Sequence, residues 1–225
     1  MWVKWINCRV LLGGQDAFAD AQREWAAIAD QPGLVGQVGG WEPDGGRAHV
    51  LGLWADHAAY TRFMEERHDE IVKEESYKRF RRRDDHDEPA PTRSWLVTAV
   101  ATGPSVLDIP GEAGLREALP HATLLRVADC HLHPGRAEHF LDAQLRIWNP
   151  AMAAADGMLA GTVTRLADDR YLVTTLWTDA DAHQRYADRD VTALRARADV
   201  VADVHTLAGL ALPLEPEWQV LPDVQ

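Results

Sequence analysis

Cysteine is scarce in this chain, and long apolar runs are absent. Only Cys8 and Cys130 occur among 225 residues, which excludes the dense disulfide framework of small secreted domains. We expect both thiols to be reduced and buried. No stretch reaches the roughly 18 consecutive apolar residues that a membrane span needs, and the first residues lack the apolar core of a secretory signal. The expected location is cytoplasmic, with no membrane partner.

Positive charge is also in short supply. Lys and Arg total 23 against 35 Asp and Glu, which gives a formal net charge of −12. Nucleic acids and anionic membrane surfaces attract basic faces, so no nucleic acid is expected as a partner. The single basic run, residues 78–83, is followed at once by the acidic run 84–88. Adjacent blocks of opposite charge indicate a solvated loop that neutralises itself.

Several motifs that indicate a reaction class are missing. The chain has no P-loop, no Rossmann glycine fingerprint, no nucleophile elbow and no Cys-x-x-Cys pair. These absences disfavour nucleotide, flavin and serine-hydrolase chemistry. His131 and His133 share one face of a predicted strand, and His139 follows on a helix. Such pairs often occur without metal and no third ligand is indicated, so no metal site is predicted.

The chain does contain an internal sequence repeat. The segment 53–63 returns as 176–186, so that Trp177 lies 123 residues after Trp54. Nearly the same spacing joins three further pairs: Cys8 and Cys130, Gly33 and Gly157, Trp95 and Trp218. An internal repeat of this length indicates a repeated structural module. We therefore predict a first module over residues 1–101, a linker over 102–121 and a second module over 122–225.

Each half predicts the order strand, helix, strand, strand, helix, strand. Alternating apolar residues mark the strands, and apolar residues at helical spacing mark the helices. In the first half the segments are residues 3–11, 16–29, 35–41, 47–54, a helix from about residue 58, and 95–101. In the second half they are residues 124–132, 137–148, 159–166, 171–177, 181–198 and 218–221. Asp56 is expected to cap a helix, because its carboxylate can accept free amide hydrogens.

This βαββαβ order is that of a ferredoxin-like module, an antiparallel sheet with both helices on one face. One such sheet leaves its other face bare, and a half-apolar bare face must be covered. The predicted fold class is therefore α+β, with tandem ferredoxin-like modules whose antiparallel sheets pack face to face as an intramolecular α+β barrel. The expected assembly is a monomeric pseudo-dimer or a homodimer.

The pattern resembles the dimeric α+β barrel superfamily, which includes antibiotic-biosynthesis monooxygenases and heme-degrading monooxygenases. The resemblance spans both halves and is carried by the element order and by the start of the second helix, Trp54-Ala55-Asp56 and Trp177-Thr178-Asp179. The first module also looks like an uncharacterised bacterial family through residues 2–6, 36–41 and 63–69. The superfamily implies a monooxygenase-type oxidoreductase, and some of its members use no cofactor.

Heme is the alternative ligand that the same resemblance implies. Heme-degrading members carry an Asn on the first strand, and Asn7 occupies that place. Phe63 and Lys73 stand where those members have a Trp and a His. The prediction is therefore no cofactor, with heme kept as the alternative.

Candidate site residues lie on the predicted sheet faces that meet. Side chains alternate along a strand, so Trp5, Asn7 and Arg9 share one face of the first strand. Asp129 and His131 share the matching face of the second module. Burying such polar groups without partners is costly. They either line a pocket between the sheets or pair with one another, as Arg9 with Asp129.

His68 and two tryptophans complete the candidate site. His68 lies among the carboxylates of residues 65–70, which favour its charged form and suit it to act as an acid or base. An exposed helix histidine is the simpler interpretation. Trp5 and Trp41 have no aromatic counterpart in the other half, which favours a role in lining a site for a flat ligand.

The sequence thus predicts a cofactor-independent, monooxygenase-like enzyme that acts on an aromatic or polyketide-like substrate in a pocket between the two sheets. His68 is the predicted base, and Asn7 and Arg9 are the predicted polar orienters. The residues predicted to contact the substrate, a small hydrophobic or aromatic ligand, are Trp5, Trp41, Asp129 and His131. The alternative is a non-catalytic protein that binds heme or another small ligand, for example in a stress response.

Overall fold

A computed structural model describes residues 1–72 and 95–222, which form two compact units. The first comprises the described part of residues 1–100 together with the segment that begins at Glu215, and the second comprises residues 101–214. Lys73, the predicted continuation of the second helix and the charged loop lie outside the described residues. No helix within the described ranges is long and apolar enough to cross a membrane.

The first unit is a four-stranded sheet with two helices. Its elements are β1 (Trp2–Val10), α1 (Gln15–Arg23) with a 3₁₀ turn (Glu24–Ile28), β2 (Leu34–Trp41), β3 (Arg47–Trp54), α2 (His57–Glu66) and the start of β4 (Trp95–Ile109). The strand order is β2-β3-β1-β4. Both the β2–β3 and the β1–β3 pairs are antiparallel. This is the strand order of a ferredoxin-like module.

The second unit repeats that order. After the end of β4 come α3 (Leu115–Ala118), a 3₁₀ turn (Leu119–His121), β5 (Leu124–Leu132), α4 (Ala137–Ala143), a π-helical turn (Gln144–Trp148), α5 (Asn149–Ala153), β6 (Met158–Ala167), β7 (Arg170–Trp177), α6 (Ala180–Tyr186), a second π-helical turn (Ala187–Val191), α7 (Thr192–Arg197), α8 (Val200–Asp203) and β8 (Val204–Pro213). The strand order β6-β7-β5-β8 is extended by residues 105–109 of β4, which pair with β6. The predicted α+β fold with a ferredoxin-like module in each half is confirmed. The face-to-face packing of the two sheets stays a prediction.

The second helix of each module opens in the same way. Asp56 Oδ1 accepts the backbone N–H of Ala59 at 2.8 Å, and Asp179 Oδ1 accepts that of Ala182 at 2.7 Å. Each carboxylate satisfies one of the amide groups that a helix start leaves without an internal partner. The cap predicted at Asp56 is confirmed.

The predicted last strand at Trp218–Leu221 is wrong. The second module ends instead with β8, which pairs along its length with β5, whereas Pro216–Trp218 is a 3₁₀ turn. Trp218 is buried in the core of the first unit, with its ring centroid 5.3 Å from that of Phe18. Most side chains of β8 are exposed, so its sequence does not show the alternation of a half-buried strand. The apolar Trp218 led to the wrong prediction of a strand.

The segment predicted as a linker, residues 102–121, contains the end of β4 as well as the short helix α3. Gly103 and Pro104 predicted a break in the chain, yet β4 continues through both. Gly103 lies so close to the next strand that a Cβ atom would overlap the carbonyl of Arg165. The glycine therefore permits a close approach between strands and does not end one.

Candidate active site

A cavity of about 150 Å³ opens inside the second unit. It lies between strands β5, β7 and β8 on one side and helices α4 to α8 on the other. Much of its wall is apolar or aromatic, formed by Phe140, Trp148, Met152, Val173, Trp177 and Val204. Such a lining with a few polar groups is typical of small-molecule sites.

The local structure explains why these side chains reach the cavity. Alternation along β5 places Arg126, Ala128 and Cys130 on the face that borders it. The two π-helical turns lie on the opposite side, where Gln144 and Trp148 of the first turn and Val191 of the second line the wall. A π turn inserts an extra residue into a helical turn and is frequent at functional sites. The helices thereby bring polar and aromatic side chains to one place.

Arg126 supplies a positive charge at the cavity wall. It is half-buried, and its Nη1 donates to the carbonyl of Leu210 at 3.2 Å. Burial lowers the pKa of Arg126, but a guanidinium stays charged at physiological pH. Gly209 makes room for it, since a Cβ atom there would lie 2.7 Å from Nη2. Among the described residues no carboxylate forms a salt bridge with Arg126.

His183 faces the same cavity from α6. Its ring packs edge-on against Trp177 with centroids 5.3 Å apart. Burial, and to a lesser extent the charge of Arg126, lowers the pKa of His183 below that of an ordinary histidine. The imidazole is therefore neutral at neutral pH and has a lone pair available to accept a proton.

Tyr186 brings an unpaired hydroxyl to the cavity wall. Its side chain is buried, and the hydroxyl oxygen has no hydrogen-bond partner. Burial raises the pKa of Tyr186, so that the phenol keeps its proton. A buried polar group without a partner is rare in folded proteins and usually has a functional explanation.

Asp203 is the carboxylate at the cavity wall, and its charge is compensated. It is 1% exposed, Arg136 Nη2 lies 2.7 Å from its Oδ1, and His139 Nδ1 lies 2.7 Å from its Oδ2. Arg126 and Arg195, which also line the cavity, lack such partners in the part of the chain that the structure describes. The cavity is therefore electropositive, a property that favours anions.

Both cysteines are free and buried, as predicted. Cys130 borders the cavity, and burial raises the pKa of its thiol to about 12. A thiol with so high a pKa is a poor nucleophile at neutral pH. Cys130 therefore acts as a small apolar wall residue.

None of the seven residues predicted from the sequence lines this cavity. Asp129 instead forms a bidentate pair with Arg170 on β7, at 2.7 and 3.0 Å. His131 is half-exposed, with Nε2 3.6 Å from Asp129 Oδ1. His133 packs against His205, and no cluster of three potential metal ligands occurs within residues 1–72 and 95–222.

The predicted residues of the first module have separate surroundings. Trp5 stacks on His49 with centroids 4.8 Å apart, and Asn7 Oδ1 accepts from Thr98 Oγ1 at 3.0 Å. Arg9 is exposed. Trp41 packs against the buried ring of Trp218, with centroids 5.0 Å apart.

His68 lies on the helical side of this module, against Trp25 and Phe63. Its Nδ1 is 3.1 Å from Asp69 Oδ1. Within the described residues no hydrogen bond, ion pair or ring contact joins His68 to Asn7 or Arg9. Their shared catalytic role stays a prediction.

Each module matches a known protein family. Residues 123–193, which carry most of the cavity, match the family Antibiotic biosynthesis monooxygenase, and residues 2–85 match Domain of unknown function (DUF4937). The chain thus consists of two ferredoxin-like modules, of which the second matches the antibiotic-biosynthesis-monooxygenase family. The chain belongs to the family of YdbC, an uncharacterized protein of Bacillus subtilis (strain 168), to which it is 36% identical over 83 residues, 35% of this chain and 68% of YdbC.

Solved structures share the fold over nearly the whole chain. A presumed monooxygenase of Lactobacillus acidophilus NCFM superposes with a TM-score of 0.67 at 11% identity, covering 98% of this chain and 96% of its own. An anthrone oxidase-like protein superposes with a TM-score of 0.59 at 12% identity, covering 100% and 97%. At such identities the likeness concerns the fold alone.

Proposed function

We propose that the second module is a cofactor-independent monooxygenase that oxidises an acidic, electron-rich aromatic substrate of the anthrone or phenol type. The observation that carries the proposal is the convergence of a neutral histidine, an unpaired hydroxyl and a guanidinium without a carboxylate partner on one aromatic cavity. The family match of residues 123–193 supports the reaction class. The anthrone-type substrate is taken from the anthrone oxidase-like protein of the same fold.

The walls of the cavity suit a flat ring. Trp148, Trp177 and Phe140 offer apolar faces and edges, on which aromatic ligands stack favourably. The positive charge of Arg126 stabilises the ionised form of a ring that carries an acidic C–H or O–H group. In a site shielded from water this interaction is stronger than in solution.

His183 is the proposed base. It takes the proton from the CH₂ group of an anthrone, and the enolate oxygen then lies against Arg126. The anion donates one electron to O₂, and the resulting radical pair joins to form a C–O bond. The protonated His183 returns its proton to the peroxide, and loss of water then leaves a carbonyl, so that CH₂ and O₂ become C=O and H₂O. Tyr186 donates its proton in a hydrogen bond to the peroxide oxygen.

Oxygen consumption with anthrone tests this proposal. An oxygen electrode measures uptake while absorbance follows the quinone. His183→Gln should lower the rate by about 10²–10⁴, as expected for the loss of a general base. Arg126→Gln should lower it by about 10²–10³, as expected for the loss of one oxyanion donor. His121→Gln, at an exposed histidine outside the cavity, is the matched control and should keep the wild-type rate.

The pH dependence gives a second criterion. Since the pKa of His183 is lowered, the base is protonated and inactive only well below neutral pH. The value of kcat/KM should therefore rise with pH through that lowered pKa and reach its plateau before neutrality. A rate that His183→Gln does not change contradicts the role of His183 as the base. A Soret shift on adding heme without any oxygen uptake contradicts the oxygenase and supports the heme-binding alternative.

A further inference from the structure

A lysine occupies in the first module the place that Arg126 occupies in the second. On β1, Lys4 pairs with Gly52 of β3; on β5, Arg126 pairs with Thr175 at the equivalent point of β7. On the face of each strand that borders the helices, this residue is the one positively charged side chain. The first module thus carries an amine where the second carries a guanidinium.

The surroundings of Lys4 are aromatic and apolar. Its Nζ lies 3.6 Å from Met64 Sδ and 5.8 Å from the ring centroid of Tyr60. Trp2 stacks on Tyr60 with centroids 6.4 Å apart and contacts His57 at 4.3 Å. No carboxylate lies within salt-bridge distance of Lys4 in the part of the chain that the structure describes. An ammonium with neither a counter-ion nor full hydration is unfavourable in such a place.

We propose that Lys4 is a nucleophilic amine that binds an apolar aldehyde or ketone as an imine, in a site separate from the cavity of the second module. The neutral nitrogen attacks the carbonyl carbon, a proton moves from nitrogen to oxygen, and water leaves as the C=N bond forms. No oxidant is needed, and hydrolysis reverses the step. Trp2 and Tyr60 provide aromatic faces for the carbonyl compound.

Burial lowers the pKa of Lys4 from 10.5 to about 8. At pH 7.4 the neutral fraction is then about 250-fold greater than for an ordinary lysine. A less basic amine is intrinsically a weaker nucleophile, which removes part of that gain and leaves an advantage of about tenfold. On α2, the titratable group beside Lys4 is Tyr60, and His57 contacts Trp2; the residue of β3 that pairs with Lys4 is Gly52. Arg126 has no comparable reactivity, because a guanidinium does not release its proton.

Reductive trapping tests the site in the full-length protein. Benzaldehyde and sodium cyanoborohydride convert an imine into a stable benzylamine, and peptide mass spectrometry identifies the labelled residue. The chain has three lysines, Lys4, Lys73 and Lys78. Lys4 should be labelled about ten times faster at pH 7.4 than the other two. This comparison is made within the wild-type protein and does not depend on whether a variant folds.

A variant and a second aldehyde complete the test. Lys4→Arg keeps the charge and should abolish the fast phase while the slow labelling of Lys73 and Lys78 persists. Acetaldehyde, which lacks a ring, should show a smaller preference for Lys4 than benzaldehyde. Labelling of Lys4 at or below the rate of the other two lysines overturns the proposal. The oxygen-uptake assay is unaffected by either outcome, so the two proposals stand or fall separately.

Discussion

The hydroxyl of Tyr186 offers a prediction in which stability and activity change in opposite directions. This oxygen is buried and has no hydrogen-bond partner, while the ring packs against Trp177 with centroids 5.3 Å apart. Tyr186→Phe removes only the oxygen and leaves the ring contact in place. The substitution therefore isolates the contribution of one unpaired polar group.

The expected size follows from the energy of an unpaired buried group. Leaving a buried donor or acceptor unpaired costs about 1–3 kcal/mol. We expect Tyr186→Phe to raise the free energy of unfolding by about 1 kcal/mol, the low end of that range. For a chain of this size the increase corresponds to about 2–4 °C in Tm. Oxygen uptake should fall by about tenfold, the effect of losing one neutral hydrogen bond in the reacting complex.

Urea unfolding and differential scanning calorimetry measure the stability, and the oxygen electrode measures the activity. Tyr171→Phe is the matched control, because Tyr171 is buried in the same cluster and packs on Phe140. Within the described residues its hydroxyl forms no hydrogen bond, and it is not among the buried atoms that lack a partner. The hydroxyl is therefore reached by solvent, and its removal should change the stability little. The reasoning is refuted if Tyr186→Phe lowers the stability by about 1 kcal/mol or more, as the loss of a satisfied hydrogen bond would.

Two further predictions concern the frame of the second module. Gly157 has φ +82°, and a Cβ atom there would lie 2.7 Å from Ala182 Cβ. Gly157→Ala should therefore lower the free energy of unfolding, measured in urea, by more than about 2 kcal/mol. The control Gly13→Ala, with φ +81° but open space, should cost only the backbone strain of about 1 kcal/mol. Asp203→Asn should lower the free energy of unfolding by about 2–3 kcal/mol. This is less than for a fully buried ion pair, because Arg136, the partner of Asp203, is partly exposed. Equal stability of variant and wild type would show that this ion pair contributes nothing.

Local patterns in the sequence were enough to predict most of the frame. Alternation along β5 predicts the residues 124–132 that the structure assigns to this strand. The helix starts were predictable because an aspartate at the N-cap has one dominant physical role. Trp218 misled the prediction, since a buried tryptophan signals a core but does not say which core it joins.

The cavity was much harder to foresee. The π-helical turns after Ala143 and Tyr186 interrupt the regular helical spacing, so a helical-wheel interpretation does not show which side chains face inward. His68 drew attention through its charged neighbours, although the feature that distinguishes His183 is burial beside Arg126, which depends on tertiary packing. The sequence signal that could have indicated the cavity is a positively charged residue at equivalent positions, Lys4 and Arg126, on two strand faces that are otherwise apolar.

The most direct test of the central claim compares two histidines in one assay. We propose His183 at the cavity of the second module as the base, whereas the sequence alone predicted His68 in the first. Anthrone-dependent oxygen uptake is measured for His183→Gln and His68→Gln under identical conditions, with Tm confirming that both variants are folded. We predict that His183→Gln lowers uptake by about 10²–10⁴ and that His68→Gln retains it. Loss of uptake in His68→Gln with full activity in His183→Gln would contradict it.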